Sequence, residues 1–163
     1  MTTTSLTVDP ATPDDHPRIT ELTVGVYDAE GHASPEYLVE LGDVAGRAGR
    51  SLLLVARDGG KVVGSVALVL SGDFGEITES DDEAAFRMLV VDPVARGRGV
   101  GEALVRDCLD RARAAGKRAM VLSTEPGMTS AHRLYERLGF TRLPERDWTP
   151  VPGIDLRVYA LEL

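Results

Sequence analysis

One stretch of the chain constrains its fold more than any other. Ala84–Val91 is an apolar run that predicts a buried strand, and Asp92-Pro93 ends it. A loop rich in glycine and arginine follows at Arg96–Gly101, and Gly99–Ala115 carries the apolar stripe of an amphipathic helix. A strand, a loop and a helix in this order bring the N-terminus of a helix to the end of a strand, which is typical of α/β folds.

The rest of the chain predicts a mixed sheet. The predicted strands are Ser5–Asp9, Ser51–Arg57, Lys61–Leu70, Arg118–Ser123, Phe140–Leu143 and Ile154–Leu163, and further helices are predicted after Asp14, over Pro35–Val44 and over Ser130–Leu138. The resulting order is β-α-α-β-β-β-α-β-α-β-β. Asp58-Gly59-Gly60 predicts a hairpin, whereas helices and strands alternate in the second half. We therefore expect an α/β (α+β) mixed sheet with helices on both faces.

Length and composition point to one folded domain spanning residues 1–163. The single cysteine, Cys108, rules out an intramolecular disulfide and fits a reducing compartment. The N-terminus lacks a basic region followed by an apolar one, and no apolar run approaches the roughly 20 residues of a membrane helix. We expect a soluble, cytoplasmic protein with no membrane partner. A net charge of −8 argues against nucleic-acid binding, which draws its affinity from Lys and Arg on phosphates.

The loop Arg96–Gly101 has the chemistry of an anion site. The first N–H groups of a helix lack partners within the helix and, together with the helix dipole, favour a negative charge. Gly97, Gly99 and Gly101 allow a positive φ and a close approach of the backbone, and two arginines add charge. A phosphate or pyrophosphate is therefore the expected ligand.

The spacing of this loop separates it from the common nucleotide-binding loops. A Walker loop ends in Gly-Lys-Ser/Thr, which is absent here. A dinucleotide-binding turn needs G-x-G-x-x-G directly after a strand, whereas this loop reads G-x-G-x-G after an intervening turn. An RNA-binding interpretation of the RGRG segment is disfavoured because a predicted strand and a predicted helix flank it.

Two motifs resemble those of the GNAT-type (GCN-related) N-acetyltransferase family. The segment MLVVDPVARGRGVGEALV matches the family's R/Q-x-x-G-x-G/A loop at Arg96, Gly99 and Gly101. The segment LSTEPGMTSAHRLYERLGF resembles the second motif, A-x-x-x-Y-x-x-x-G-F, and its matching residues are Ala131, Tyr135, Gly139 and Phe140. The predicted order of elements is also similar, so the resemblance implies this family's fold over almost the whole domain.

The resemblance implies acetyl-CoA as a cosubstrate and no metal. It places the pyrophosphate on Arg96, Gly97, Arg98, Gly99, Val100 and Gly101, and pairs the pantetheine arm with the strand backbone at Leu89, Val90 and Val91. Core packing of the Leu89 and Val91 side chains is compatible with that role. Met128 stands where many members carry an asparagine near the cofactor, and Ser130 is the nearest substitute.

Tyr135 is the candidate catalytic residue. The resemblance implies that its phenol assists the departing thiolate, as a hydrogen-bond donor or as an acid. Its spacing with Ala131, Leu134 and Leu138 also fits a core position on a helix. Both interpretations stay open at this point.

The general base is not assigned. Ala85 stands where some family members carry a glutamate. Glu83, the nearest acid, is expected at a solvated loop end, with proton transfer through water as the alternative. The acidic cluster around it is expected to be a solvated loop rather than a recruiter of cationic amines, and it comprises Glu76, Glu79, Asp81, Asp82 and Glu83.

The remaining candidates have mostly structural interpretations. His16, His32 and His132 show no metal-ligand spacing with one another or with Cys108. We expect His132 to be exposed and Cys108 to be a buried small hydrophobe. Trp148 is expected in a loop, where it lines the acceptor pocket or closes the sheet edge.

The leading hypothesis is an acetyl-CoA-dependent N-acetyltransferase. It would move an acetyl group to a primary amine of a small molecule or a protein, by direct transfer through a ternary complex. The alternative is an acyl-CoA-binding sensor or inactive relative, which Ala85 favours and Tyr135 opposes. The sequence does not set the oligomeric state; family members are often dimers, which makes a homodimer possible.

Overall fold

The computed structural model describes residues 6–31, 34–71 and 78–163. Within these ranges the strands are β1 (Leu6–Pro10), β2 (Leu52–Asp58), β3 (Lys61–Val69), β4 (Glu83–Val91), β5 (Ala119–Thr124), β6 (Thr141–Arg142), β7 (Trp148–Val151) and β8 (Ile154–Glu162). The helices are α1 (His16–Ala29), α2 (Pro35–Gly42), α3 (Val44–Ala48), α4 (Val100–Ala114) and α5 (Thr129–Arg137). Short 3-10 turns lie at Pro13–Asp15, Pro93–Ala95 and Pro144–Arg146.

The strands form a mixed sheet in the order β1-β2-β3-β4-β5-β8-β6, and β7 pairs with β8. The neighbours β1/β2 and β2/β3 are antiparallel, and β8 is antiparallel to β5, β6 and β7. Glu83–Ala85 of β4 runs parallel to Ala119–Val121 of β5. The mixed α/β sheet expected from the sequence is thereby confirmed.

The chain divides into two compact units, and each is built from two separated stretches. Unit 1 comprises Met1–Leu68 and Met88–Cys108, and unit 2 comprises Val69–Arg87 and Leu109–Leu163. Unit 1 therefore holds β1, β2, α1 to α3, most of β3, the end of β4 and the start of α4. Unit 2 holds the remaining elements.

Unit 1 contains the β2–β3 hairpin. Gly59 and Gly60 have φ of 59° and 88°, the two positive values that a type I′ turn requires, and Asp58 pairs with Lys61 across the turn. β2 is the continuous apolar run of the sequence, and its residues 53–56 are buried. α1 buries Ile19 and Leu22, as the periodicity predicted.

Unit 2 is organised around β5, which pairs with β8 from Ala119↔Glu162 to Thr124↔Arg157. Val121 of β5 packs with Val69 and Ala85 in a core cluster of fully buried side chains. Position 85 is therefore part of the core, which explains why a small apolar residue occupies it.

Two elements differ from the sequence prediction. The helix expected over Pro35–Val44 is two helices, α2 and α3, because Asp43 leaves the helical region with ψ 66° and its carboxylate accepts a hydrogen bond from the N–H of Gly46 at 3.1 Å. The loop expected around Trp148 is wrong, because residues 148–151 form β7 against β8. That strand is four residues long and contains a proline, so its local pattern carries little signal.

Candidate functional site

β4 carries a backbone irregularity at Met88. This buried residue has φ 57°, a value that non-glycine residues rarely adopt. The carbonyl of the next residue, Leu89, accepts a hydrogen bond from Tyr27 Oη of α1 at 3.3 Å. Strained backbone persists only where its surroundings hold it, and such strain clusters at functional sites. The irregularity lies beside the predicted backbone contacts at Leu89, Val90 and Val91, of which the second is buried and the others half-buried.

Asp92 directs the chain out of β4. Its N–H donates to the Val63 carbonyl at 2.8 Å, and its own carbonyl accepts from the Ala95 N–H at 2.8 Å. Its buried carboxylate accepts from the Val94 N–H at 3.1 Å, which caps the 3-10 turn, and from Arg18 Nη2 at 2.6 Å. The turn before the glycine-rich loop is therefore fixed on several sides.

The loop reaches α4 through two glycines in the left-handed region. Gly97 has φ 81° and Gly99 has φ 79°, and a side chain at either position would be strained. Apart from the adjacent residues of the chain, no described atom lies within 4 Å of a Cβ built at either glycine. Conformation, rather than crowding within the chain, explains these two glycines. Gly101 lies inside the first turn of α4, and Val100 is buried beneath it.

The two loop arginines are paired with carboxylates of the same unit. Arg96 Nη2 lies 2.5 Å from Glu30 Oε1, and Arg98 Nη1 lies 3.3 Å from Asp58 Oδ2. Both arginine side chains are about half exposed, at 48% and 59%. Exposed ion pairs are weak, so a multiply charged anion can displace these carboxylates.

These features together have the chemistry that suits an anion. A helix of 15 residues starts at Val100, the fifth residue of the loop. Its first-turn N–H groups have no partner within the helix, and its dipole adds partial positive charge there. The structure thus brings Arg96, Gly97, Arg98, Gly99, Val100 and Gly101 together with the strand residues 89–91 in unit 1.

Tyr135 lies on α5 in an aromatic cluster of unit 2. It is 5% exposed, and its ring centroid lies 5.8 Å from those of Phe86 and Phe140 and 5.9 Å from that of Tyr159. The core position that its helical spacing suggested is real. A catalytic role uses the hydroxyl rather than the ring, so packing does not exclude it.

Ser130 occupies an exposed position in the first turn of α5. Met128, which precedes this helix, accepts a weak hydrogen bond at its sulfur from Thr124 Oγ1 at 3.5 Å. The methionine at the place of the family's asparagine thus contacts β5 of its own unit.

Glu83 does not lie at a solvated loop end, and that expectation is wrong. It is 7% exposed and forms a two-pronged ion pair with Arg146, at 3.0 and 3.1 Å, while the N–H of Glu79 donates to it at 2.9 Å. Burial raises the pKa of Glu83, but the hydrogen bonds from Arg146 and Glu79 outweigh it and leave that pKa below its usual value. A carboxylate held in this way is a poor proton acceptor.

His132 is buried rather than exposed, so that expectation is also wrong. Its Nε2 lies 3.3 Å from Thr124 Oγ1, and its ring lies 5.5 Å from that of Tyr159. Desolvation by burial lowers the pKa of His132 and outweighs the hydrogen bond to the Glu125 backbone, which raises it. The imidazole is therefore neutral at physiological pH.

The acidic cluster divides into two kinds of residue. Glu76 lies outside the described residues. Glu79 and Glu83 both bind Arg146, whereas Asp81 and Asp82 are exposed, as expected for a solvated loop.

Three further candidates have structural positions. Trp148 lies in β7, and its buried indole N–H has no hydrogen-bond acceptor among the described residues. Cys108 is fully buried on α4, which confirms the sequence prediction. Over the described ranges, no three or more His, Cys, Asp or Glu side chains are grouped so as to hold a metal ion. In the same ranges no helix combines the length and apolarity needed to span a bilayer.

Sequence reasoning missed three residues, Arg18, Tyr27 and Asp92, whose hydrogen bonds fix the end of β4 and the turn before the glycine-rich loop. Asp92 carried a usable signal, because an aspartate before a proline at the end of a strand is typical of a cap. Arg18 and Tyr27 carried none. Arg18 lies 74 residues from Asp92 in the turn, and Tyr27 lies 62 residues from Leu89 in β4. Only the fold brings these residues into contact.

A mixed sheet whose fourth strand leads through a glycine- and arginine-rich turn into a long helix characterises the class of protein. The model of the acetyltransferase (GNAT) family matches residues 17–140. The chain belongs to this family, which confirms the membership expected from its two motifs.

The chain is similar in sequence to curated proteins and in fold to solved structures. N-acetylaspartate synthetase of Danio rerio is 36% identical over 95 residues, which are 58% of this chain and 31% of that protein. The chain thus spans less than a third of this relative's length. The yncA structure from Salmonella typhimurium, solved with its cofactor acetyl-CoA, has a TM-score of 0.71 at 23% identity over 98% and 94% of the two chains. A GCN5-related N-acetyltransferase from Kribbella flavida has a TM-score of 0.72 at 26% identity over 98% of both chains.

Proposed function

We propose that this chain is an acetyl-CoA-dependent N-acetyltransferase that moves an acetyl group to a primary amine. The observation that carries the proposal is the segment from Arg96 to Val100, in which two left-handed glycines alternate with two arginines and lead directly into the N-terminus of α4. Family membership and the acetyl-CoA in the Salmonella neighbour support it.

Acetyl-CoA would be held by two parts of unit 1. Its pyrophosphate suits the residues 96–101, where backbone N–H groups and guanidinium groups donate to phosphate oxygens. Its pantetheine amides suit the backbone at Leu89, Val90 and Val91, which follows the irregularity at Met88. Ser130 is proposed as a further polar contact of the cosubstrate.

The transfer forms a bond between the amine nitrogen and the acetyl carbon and breaks the bond from that carbon to sulfur. The amine must first lose a proton, because an alkylammonium with a pKa near ~10.4 cannot attack. The departing thiolate then needs a proton or a hydrogen bond. A thiol pKa of ~8.5 lies below the ~10 of a free phenol, so we assign Tyr135 a hydrogen-bonding role toward the sulfur.

The base that removes the amine proton is not assigned. Ala85 is a core residue, and the Glu83 carboxylate is engaged by Arg146 with a lowered pKa. Loss of the proton to water before binding is compatible with both facts. The fully buried alanine also favours the second candidate, an acyl-CoA sensor that binds without catalysis.

The acceptor is a small molecule or a protein that presents a primary amine. The amine attacks acetyl-CoA directly while both are bound, since the proposed mechanism uses no residue as an acyl carrier. Buried Cys108, the one cysteine of the sequence, is unsuited to that role.

Release of free CoA with a panel of amines tests the proposal, with each rate corrected for hydrolysis without amine. A thermal shift comes first, because a ligand at 100 times its Kd should stabilise the fold by about 2.7 kcal/mol. No shift with acetyl-CoA contradicts both candidates. Binding without amine-dependent CoA release, for every amine tested, favours the sensor.

A further inference from the structure

A part-buried ion pair between Arg18 and Asp92 lies at the turn that leads into the cosubstrate loop. Arg18 of α1 donates from Nη2 to Asp92 Oδ2 at 2.6 Å, and its Nε donates to the Val62 carbonyl of β3 at 3.2 Å. Its Nη1 lies 2.5 Å from Glu21 Oε1. One guanidinium thus joins the helix, the neighbouring strand and the first residue of the turn.

Both the backbone and the carboxylate of Asp92 are held by hydrogen bonds. It is 7% exposed, and its N–H donates to the Val63 carbonyl, next to the carbonyl that Arg18 binds. Its second carboxylate oxygen caps the 3-10 turn at Val94. A buried carboxylate that loses its cation is strongly unfavourable, so the turn would reorganise if Arg18 were removed.

We propose that Arg18 and Asp92 are positioning residues for the anion-binding loop. They set the direction in which the chain leaves β4, and therefore where Arg96, Arg98 and the first N–H groups of α4 point. This inference rests on the proposed function, in which that loop holds the pyrophosphate of acetyl-CoA. Neither residue touches the cosubstrate in this account.

If Arg18 and Asp92 only stabilised the fold, their substitution would weaken the binding of every part of the cosubstrate alike. S-acetylpantetheine carries the thioester and the amides but lacks the pyrophosphate, so it does not use the loop. A displaced loop should weaken the binding of acetyl-CoA and leave that of S-acetylpantetheine unchanged. The ratio of the two Kd values therefore reports the position of the loop.

The experiment compares the wild-type chain with Arg18→Met, Arg18→Lys and Asp92→Asn by calorimetric titration of both ligands. We expect Arg18→Met to raise the Kd for acetyl-CoA about tenfold, because misplaced donors lose binding steeply with distance. Asp92→Asn keeps an oxygen for the cap at Val94 and should show a smaller loss. Arg18→Lys keeps one charged donor and should recover part of the affinity.

Asp15→Asn is the matched control. Asp15 and Arg57 also form an Arg–Asp pair in unit 1, with side-chain exposures of 9% and 24%, against 11% and 25% for Asp92 and Arg18. Asp15 belongs to the turn before α1 and not to the loop. The control should lose stability with an unchanged Kd for acetyl-CoA.

The outcomes separate the inference from the proposed function. A selective loss of acetyl-CoA binding in Arg18→Met and Asp92→Asn supports the inference. Equal losses for both ligands, or a loss in Asp15→Asn as large as that in Asp92→Asn, overturns it and leaves the proposed function standing. A wild-type chain that binds neither ligand overturns the proposed function and this inference with it. If Arg18→Met does not fold, the conservative variants are judged by the same ratio.

Discussion

Arg98 and Asp58 illustrate how a surface ion pair can matter for binding and not for stability. Pairs this exposed contribute about 0–1 kcal/mol to folding, whereas an arginine on a phosphate makes charge-assisted hydrogen bonds. We predict that Arg98→Gln raises the Kd for acetyl-CoA about tenfold. The free energy of unfolding in urea should change by less than about 1 kcal/mol. A large loss of stability with unchanged affinity would show that this pair is structural.

Asp58 should act in the opposite direction, because its carboxylate competes with the phosphates for Arg98. We predict that Asp58→Asn tightens acetyl-CoA binding about threefold at low ionic strength, with the gain disappearing near about 0.5 M salt. Asp110→Asn, which removes an acid paired with Arg113 further along α4, makes the same change in net charge. Equal tightening in both variants would indicate a general charge effect and not competition at the loop.

Tyr135 can be tested without disturbing its packing. Tyr135→Phe keeps the ring contacts with Phe86 and Phe140 and removes only the hydroxyl. We predict a fall in kcat of about a hundredfold, typical of the loss of a hydrogen-bond donor to charge that develops in the transition state, with the Kd for acetyl-CoA within about twofold of wild type. Tyr159→Phe, a neighbour in the same cluster, is the control and should keep its kcat. An unchanged kcat in Tyr135→Phe would remove this residue from the mechanism.

Sequence reasoning mispredicted the burial of Glu83 and His132 for the same reason: burial depends on partners that the local sequence does not reveal. Glu83 is charged and follows an acidic stretch, so its local context indicated solvent. Its partner Arg146 lies 63 residues further along the chain, and no local pattern reports such a pair. His132 was misjudged in the same way, because its burial depends on Thr124 and on Tyr159 of β8.

At the scale of elements, a helix or strand could be predicted where it is defined by residues close together in the sequence, and not where it depends on distant contacts. The course from β4 through the loop into α4 was predicted almost to the residue, because apolar run, proline, glycines and helical stripe are all local signals. α3 and β7 were not predicted. The first depends on an aspartate that breaks one helix and caps the next, and the second exists only through its pairing with β8.

The packing of α4 against β3 in unit 1 depends on the glycine at position 64, which has no side chain. A Cβ built on Gly64 would lie 2.8 Å from Val100 Cγ1, 3.0 Å from Leu104 Cδ1 and 3.0 Å from the Val90 carbonyl oxygen. The last of these is backbone and cannot rotate away. We predict that Gly64→Ala lowers the free energy of unfolding by about 1–3 kcal/mol, the usual cost of overpacking. It should also weaken acetyl-CoA binding, because the first turn of α4 must shift.

Gly25→Ala is the matched control for this change. Gly25 lies within α1 of the same unit, and a Cβ added there would have no described atom within 4 Å apart from its chain neighbours and the adjacent helix backbone. Alanine should therefore raise the free energy of unfolding by up to about 1 kcal/mol through helix propensity alone. Urea denaturation and calorimetric titration of the two variants check both predictions. A Gly64→Ala chain as stable as wild type would show that α4 adjusts without cost.

At the scale of the whole molecule, family and chemistry were predictable to different depths. The cosubstrate half of the proposed function rests on the backbone geometry of one short segment, which the glycines and arginines of residues 96–101 already indicated. No motif in the sequence identifies the acceptor. The curated relative from Danio rerio aligns with only 95 residues, so similarity does not supply the acceptor that the motifs leave open.

The acids of the folded chain make its stability depend on pH in a defined direction. Hydrogen bonds from Arg57 and Arg142 lower the pKa of Asp15 and bring that of Asp147 to about 2, and the pKa of Glu83 is lowered as well. The unfolded chain therefore binds more protons than the folded chain below about pH 4.5. We predict that these acids leave the urea midpoint unchanged above about pH 5 and make it fall steadily as the pH drops toward about 2. A flat profile would contradict these pairs.

His132 adds a second step at higher pH. Burial lowers its pKa from the usual 6.5, so the unfolded chain takes up this proton first and stability is lost as the pH falls below about 6.5. We predict that the urea midpoint of wild type already declines between about pH 6.5 and 5, and that His132→Gln removes this step while keeping the acidic one. His16→Gln, which removes an imidazole outside the aromatic cluster, should keep both steps. The two steps have the same sign but different midpoints, so they can be told apart. A decline of the wild-type urea midpoint that is confined to pH below about 4.5 would mean that the His132 ring becomes exposed to solvent while the chain is still folded.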